Sequence, residues 1–217
     1  MEGIRGKTSY EIRRADVLAP ASSRAGVLVD LGTGDGRFVA HVARIHPDWM
    51  AIGVDACREN LREQSRRASG NALYVIANAL ALPSELAGIA TRVTTNFPWG
   101  SLLGGLLSGD RGLLDGIHTL AGESLDLEIR LNADALRDQG WDLAKGAERI
   151  AGNLVGAGFV LRARRPLDTT GLRTVPSTWA RRLAHGRDPR AAFVVAVAAA
   201  AGAAVIAAAS AMRSHRR

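Results

Sequence analysis

A glycine-rich turn between acidic residues is the part of this sequence best suited to chemistry. Residues 30–36 read D-L-G-T-G-D-G and follow a short apolar segment at 27–29. A second apolar segment ends in Asp55, nineteen residues after Gly36. A strand, a glycine turn and a helix bring the backbone against a nucleotide-like ligand, and an acid at the end of the next strand accepts hydrogen bonds from ribose hydroxyls. The pattern therefore predicts a nucleoside cofactor site.

The spacing of the glycines distinguishes two classes of cofactor. A dinucleotide site has G-x-G-x-x-G, whereas this chain has G-x-G-x-G preceded by Asp30. The pattern resembles the first motif of class I S-adenosylmethionine (SAM) methyltransferases, which implies that Asp30 serves the methionine end of SAM and Asp55 the ribose. The resemblance also implies that the turn itself contacts the cofactor, through Gly32, Thr33, Gly34 and Asp35. The alternative is a tight turn that binds no ligand.

Apolar strands that alternate with helices must position this turn. Seven segments have strand patterns, at 27–29, 50–54, 73–77, 90–96, 124–131, 159–165 and 192–198. Helical spacing occurs at 37–45, 58–68, 101–107, 113–120 and 147–157. This alternation predicts an α/β fold with a seven-stranded, mostly parallel sheet and helices on both faces. Short alternation at 2–12 predicts a β-hairpin before the sheet, and 13–24 is expected to be a linker or short helix.

Two tryptophans are candidates for the target side of the site. Trp99 follows the fourth predicted strand within N-F-P-W-G, and Trp179 is followed by two arginines in S-T-W-A-R-R-L. Ligands of open α/β sheets bind beyond the carboxyl ends of the strands, where Trp99 would lie. Two such rings can hold a nucleobase that has been flipped out of its stack while arginines hold the distorted backbone. The alternative for each tryptophan is packing in the core.

Composition limits the class of protein. The 217 residues predict one methyltransferase domain at 25–199, preceded by the hairpin and linker at 1–24 and followed by an Ala-rich basic tail at 200–217. The single cysteine, Cys57, excludes an internal disulfide and a cysteine-based zinc site, and we expect no metal. Residues 161–217 hold eleven arginines and two acids, which favours a polyanionic partner. No signal peptide is recognised, so we expect a cytoplasmic protein.

A long uncharged run at 191–212 has two interpretations. Its 22 residues are long enough to span a membrane. They are mostly alanine, however, and F-V-V-A-V within the run fits the last strand of the sheet. We therefore predict a strand followed by an Ala-rich helix, and no membrane association.

Three motifs together identify a family. The segments V-D-L-G-T-G-D-G-R, F-P-W-G-S-L-L and S-T-W-A-R-R-L, with a later R-D, resemble the Kam/Npm family of aminoglycoside-resistance methyltransferases. The resemblance extends from Gly6 and Lys7 to the seventh predicted strand. It implies SAM-dependent methylation of N1 of a flipped adenine in the decoding site of 16S rRNA. The implied substrate is the assembled 30S subunit, and we expect a monomer with no protein partner.

The resemblance also assigns roles by motif. Trp99 and Trp179 would sandwich the adenine as the catalytic pair. Residues near the motifs and in the hairpin would contact RNA or position the second tryptophan: Arg182, Arg187, Ser177 and Lys7. The stretch after the third strand would hold the cofactor adenine through Asn78, Ala79 and Leu80.

The chain departs from the family pattern at one of these positions. The family has an acid in A-x-A-E, where this sequence has Leu80 in A-N-A-L. This keeps open a SAM-binding or RNA-binding protein with little catalysis. A further alternative is methylation of adenine N6, because Asn96-Phe97-Pro98-Trp99 resembles the (Asp/Asn)-Pro-Pro-aromatic motif of amino methyltransferases.

Overall fold

The protein folds around one mixed β-sheet. The computed structural model describes residues 1–185 and 190–199. The strands are β1 Glu2–Arg5, β2 Thr8–Glu11, β3 Gly26–Leu31, β4 Trp49–Asp55, β5 Ala72–Ile76, β6 Ala90–Asn96, β7 Ala121–Asn132, β8 Val160–Leu167 and β9 Ala191–Ala199. The helices are α1 Arg14–Ser22, α2 Arg37–Ile45, α3 Arg58–Arg66, α4 Gly100–Ser108, α5 Arg111–Leu120, α6 Ala133–Asp138, α7 Leu143–Gly156, α8 Thr169–Thr174 and α9 Thr178–His185.

The strand order places a switch point in the middle of the sheet. The order is β2-β1-β5-β4-β3-β6-β7-β9-β8, and the five strands from β5 to β7 are parallel. The parallel part of the sheet begins at β3, moves outward through β4 to β5, and returns to pair β6 with the other side of β3. In such sheets the crevice outside the carboxyl ends of the strands at this reversal binds ligands. The glycine turn follows β3 and therefore lies at this position.

Within the described residues the sheet has nine strands rather than the predicted seven. The seven predicted strands are present, and the N-terminal hairpin adds two because β1 pairs antiparallel with β5, at Glu2–Ile76 and Gly3–Val75. The hairpin was expected ahead of the sheet, but its backbone groups instead satisfy the free edge of β5. The prediction of an α/β methyltransferase-like sheet is otherwise confirmed.

Two hydrophobic clusters cover the two faces of the sheet. Along β3, Val27, Val29 and Leu31 belong to the larger cluster, and Leu28 to the smaller. This alternation is the consequence of side chains pointing to opposite faces of a strand. Helices α1, α4, α5 and α7 pack into the larger cluster, whereas α2 and α3 pack into the smaller. The prediction of helices on both faces is confirmed.

The long uncharged run begins as a strand. β9 covers its first nine residues and pairs antiparallel with β7 on one side and β8 on the other. This confirms the predicted seventh strand, whereas the predicted helix after it and the tail at 200–217 lie outside the described residues. In the part of the chain that is described, no helix is long and apolar enough to cross a membrane.

Candidate active site

The glycine turn after β3 has a conformation that requires glycine. Gly32, Gly34 and Gly36 have φ angles of 67°, 59° and 75°, in the left-handed region. A Cβ on Gly36 would lie 2.5 Å from the Tyr74 ring, whereas a Cβ on Gly34 would meet no atom within 4 Å. The backbone at Gly34 therefore faces open space, which is the approach that a cofactor needs.

Asp55 lies against this turn and holds it in place. One carboxylate oxygen accepts a hydrogen bond from the Gly34 amide at 2.8 Å, and the other accepts one from the Cys57 amide at 2.8 Å. Asn60 Nδ2 also donates to Oδ1, at 3.5 Å. A carboxylate oxygen has two lone pairs, so Oδ2, which accepts from Gly34, retains capacity for a hydroxyl donor. This geometry fits the predicted contact with ribose hydroxyls.

Asp30 is buried at the end of β3. Its side chain is 1% exposed, and one carboxylate oxygen accepts hydrogen bonds from Thr94 Oγ1 at 2.6 Å and Asn96 Nδ2 at 2.8 Å. Burial raises the pKa of Asp30 to about 6 because a carboxylate loses hydration inside the protein. The neighbouring hydroxyl and amide donors and the charge of Arg130 act on the pKa in the opposite direction. Asp30 is therefore an ionisable acceptor for a cationic amine.

The segment after β5 contributes two of its three predicted cofactor residues. Asn78 and Ala79 line the same cavity as the glycine turn. Leu80 does not line it, because its side chain packs against the larger hydrophobic cluster. Its amide donates to Asn78 Oδ1 at 3.0 Å, which closes a short turn and directs the leucine away from the cavity. The prediction that Leu80 contacts the cofactor therefore has no support in the geometry.

The target side of the cavity begins at a strained turn after β6. Phe97 has φ of 55° and is 2% exposed, and its amide donates to the Arg130 carbonyl at 2.7 Å. A bulky residue in the left-handed region costs free energy and persists only where its surroundings fix it. Trp99 follows, 37% exposed and on the wall of the cavity, directly before α4. The turn thus places this tryptophan opposite the glycine turn.

A segment far along the chain closes the other side. Ser177 and Thr178 line the cavity at the start of α9, as does Arg182 one turn later. The Thr178 hydroxyl donates to Asp35 Oδ2 at 2.7 Å, which joins α9 to the glycine turn. Ser177 Oγ accepts from the Ala180 amide at 3.0 Å and so caps the helix.

A small apolar cluster fixes α8 and α9 to the rest of the protein. It consists of Phe97, Leu172, Val175 and Ala180, with Leu167 packed against it. Because Phe97 belongs to the Trp99 turn, the cluster joins the two segments that carry the tryptophans. Trp179 is the second residue of α9, and the position of its side chain lies outside the described part of the structure.

Most of the predicted site residues meet in one cavity of about 500 Å³. Those on its wall are Asp30, Gly32, Thr33, Gly34, Asp35, Asp55, Asn78, Ala79, Trp99, Ser177 and Arg182. Lys7 lies instead in the turn between β1 and β2, at one edge of the sheet, and Arg187 lies outside the described residues. Among the residues that the structure describes, no cluster of His, Cys, Asp or Glu could hold a metal ion.

Sequence reasoning did not find three contributors to this site. In the sequence, Phe97 is one residue of a motif and Arg130 is one residue of a strand pattern. The contact between Thr178 and Asp35 joins residues 143 positions apart. The alternation of β7 was visible in the sequence. The register between β6 and β7 determines that Arg130 contacts Asn96. The residues around Arg130 do not indicate that register.

A comparison with models of protein families shows which family the chain belongs to. A model of the NpmA family, described as 16S rRNA (adenine(1408)-N(1))-methyltransferase, matches residues 2–198. The chain belongs to this family. The predicted Kam/Npm membership is therefore confirmed. The cavity formed by the glycine turn, Trp99 and α9 is that of an NpmA-family methyltransferase.

Individual relatives agree along almost the whole chain. The 16S rRNA (adenine(1408)-N(1))-methyltransferase of Escherichia coli is 29% identical over 202 residues, covering 85% of this chain and 92% of the relative. The solved structure of KamB superimposes with a TM-score of 0.82 at 27% identity, covering 92% of this chain and all of that one. A variant of the Catenulisporales acidiphilia enzyme with the cosubstrate SAM gives a TM-score of 0.82 at 26% identity, covering 93% and 98%.

Proposed function

We propose that this NpmA-family protein transfers the methyl group of SAM to N1 of an adenine in the decoding site of 16S rRNA. The observation that carries the proposal is the single cavity in which the glycine turn, Asp55 and Trp99 face the start of α9. Asp30 would bind the methionine end of SAM, Asp55 its ribose, and Asn78 and Ala79 its adenine. SAM would supply an already activated methyl group.

The main task of the protein in this reaction is to place the adenine next to the methyl group of SAM. Adenine N1 has a lone pair and attacks without losing a proton, so no general base is required. The residues of the cavity would instead align N1 with the methyl group, and such alignment contributes much of the rate in bimolecular transfers. Trp99 and Trp179 would hold the flipped base, and their faces would favour the cationic product through cation–π attraction.

The RNA would be held by the basic part of the chain. Arg182 on the cavity wall and Arg187 beyond α9 would contact the distorted backbone near the target, and Lys7 would extend the contact through the hairpin. The assembled 30S subunit is the proposed substrate, and we propose that the enzyme acts on it in the cytoplasm as a monomer. Methylation there would confer aminoglycoside resistance.

The two alternatives, methylation at adenine N6 and binding without catalysis, make different use of the site residues. Methylation at N6 would use the Asn96 amide to bind the exocyclic amine. That amide already donates to Asp30 at 2.8 Å and accepts from Arg130 at 2.8 Å, so binding of the amine would depend on the one lone pair that its oxygen retains. A binding protein with little catalysis is the alternative that Leu80 raises, because the family's acid is missing at this position. Leu80 packs against the larger hydrophobic cluster and does not block the cavity.

Reverse transcription across the decoding site of 30S subunits incubated with the protein and SAM tests the proposal. N1 methylation blocks Watson–Crick pairing, so we expect a new stop at one adenine. Trp99→Ala should remove the stop while SAM binding, measured by calorimetry, is retained; Trp99→Phe should retain part of the activity because a ring can still stack. Methyl incorporation without a stop would refute N1 as the target, and SAM binding without incorporation would favour the binding protein.

A further inference from the structure

A chain of hydrogen bonds leads from β7 to the cofactor acid. Arg130 Nη1 donates to Asn96 Oδ1 at 2.8 Å, and Asn96 Nδ2 donates to Asp30 Oδ1 at 2.8 Å. The strand register produces this line, because Asn96 pairs directly with Arg130 and Asp30 pairs with Thr94, two residues before Asn96. The three side chains therefore lie on adjacent strands at the carboxyl end of the sheet.

The guanidinium decides which way the Asn96 amide points. Arginine has donors only, so the amide must turn its oxygen toward Arg130 and its NH2 group toward Asp30. With the opposite orientation, two oxygens would face each other at Asp30 and two donors would face each other at Arg130. Asp30 would then lose a hydrogen bond and gain a repulsive neighbour.

Arg130 is itself held in place. Its other terminal nitrogen donates to Glu128 Oε2 at 2.6 Å, and its side chain is 14% exposed. An arginine that is mostly buried and bound at both terminal nitrogens loses little further entropy when it orients a neighbour. Its carbonyl also accepts the Phe97 amide at 2.7 Å, so this residue contacts the target-side turn as well.

We propose that Arg130 is a positioning residue for SAM binding, which fixes the Asn96 amide so that Asp30 is held as an ionised acceptor for the SAM amine. This inference rests on the proposed role of Asp30 at the methionine end of SAM. It adds that the affinity for SAM depends on a cation that does not line the cofactor cavity.

The charged and titratable groups around Asp30 come from several elements. Arg130 on β7 is the cation, and Glu128 partly offsets its charge. Tyr74 on β5 stays neutral, because burial raises its pKa far above neutral pH. Asp35 and Asp55 lie on the wall of the same cavity. Among these groups, Arg130 is the one that favours the ionised form of Asp30.

The first test is the affinity for SAM as a function of pH, measured by calorimetry between pH 5 and 9 on the full chain. Wild-type binding should weaken as the pH falls through about 6, the pKa of Asp30. In Arg130→Gln this midpoint should rise, because Asp30 loses a nearby cation and the group that orients the Asn96 amide, and Arg130→Lys should restore part of the difference. Arg92→Gln is the matched control, since Arg92 also faces Glu128, at 3.9 Å. A folded Arg130→Gln protein with the wild-type midpoint would overturn the proposal.

A second test uses the unaltered protein and so does not depend on a variant that folds. In an NMR titration without SAM, the Asn96 side-chain amide and the Arg130 guanidinium signals should both shift with the midpoint of the Asp30 carboxyl. If neither signal shifts with the Asp30 carboxyl, the proposed coupling of Arg130 to Asp30 through Asn96 is refuted. If SAM fails to bind at any pH, the proposed function fails and the inference fails with it. If SAM binds but the two signals do not follow the Asp30 titration, the inference alone fails.

Discussion

Replacing Thr178 by valine should slow methyl transfer without removing the cofactor. The substitution keeps the shape of the side chain and deletes the hydroxyl that donates to Asp35 at 2.7 Å. A hydrogen bond to a charged group contributes about 1.5–3 kcal/mol, and partial exposure of Asp35 reduces this to about 1 kcal/mol. Asp35 keeps its Arg37 partner at 3.4 Å, so no isolated charge is created. A loss of about 1 kcal/mol corresponds to a roughly fivefold lower rate.

The assay is the initial rate of methylation of 30S subunits at saturating SAM, with SAM affinity measured separately. We expect kcat/KM for 30S subunits to fall about fivefold and the affinity for SAM to change little, because the lost bond orders α9 rather than the cofactor. Thr178→Ser keeps the hydroxyl and should restore the rate. A Thr178→Val enzyme that works at the wild-type rate would show that this bond does not position α9 for the reaction.

Three further substitutions separate stability from function. Asp30 has a pKa of about 6 in the folded protein, above its unfolded value, so the SAM-free protein should lose stability as the pH rises from about 4 to 7 and Asp30 ionises. Asp30→Asn should therefore raise the free energy of unfolding in urea by up to about 3 kcal/mol above pH 7, and it should weaken SAM binding. Phe97→Ala should lower the free energy of unfolding by about 3 kcal/mol, and an unchanged urea midpoint would contradict its role in joining α8 and α9. Trp179→Ala should abolish methylation with SAM binding intact, and wild-type rates would refute the sandwich.

The cofactor side of the site was predictable because its information is local. The glycine turn, Asp30 and Asp55 are fixed by a strand, a turn and a strand that lie within thirty residues of sequence. The periodicity of apolar residues identified seven of the nine described strands of the sheet for the same reason. The backbone conformation that these patterns predict depends on neighbouring residues and not on distant parts of the chain.

The target side was predictable only as a motif, because its geometry depends on contacts between distant segments. Nothing near Phe97 indicates that it packs against Leu172 and Val175. The hairpin could be recognised, but its pairing with β5 requires knowledge of which sheet edge is free. The short helices α6 and α8 span six residues each, too few for a periodic signal.

The small cluster around Phe97 gives the two sides of the active site unequal local stability. It contains four buried side chains, whereas the glycine turn is anchored to strands of the main core. Segments with few buried apolar contacts open at a lower free energy than the global unfolding transition. We therefore expect α8 and α9 to open at a lower free energy than the sheet and the glycine turn, so that their backbone amides exchange hydrogen faster than those of β3 and β4.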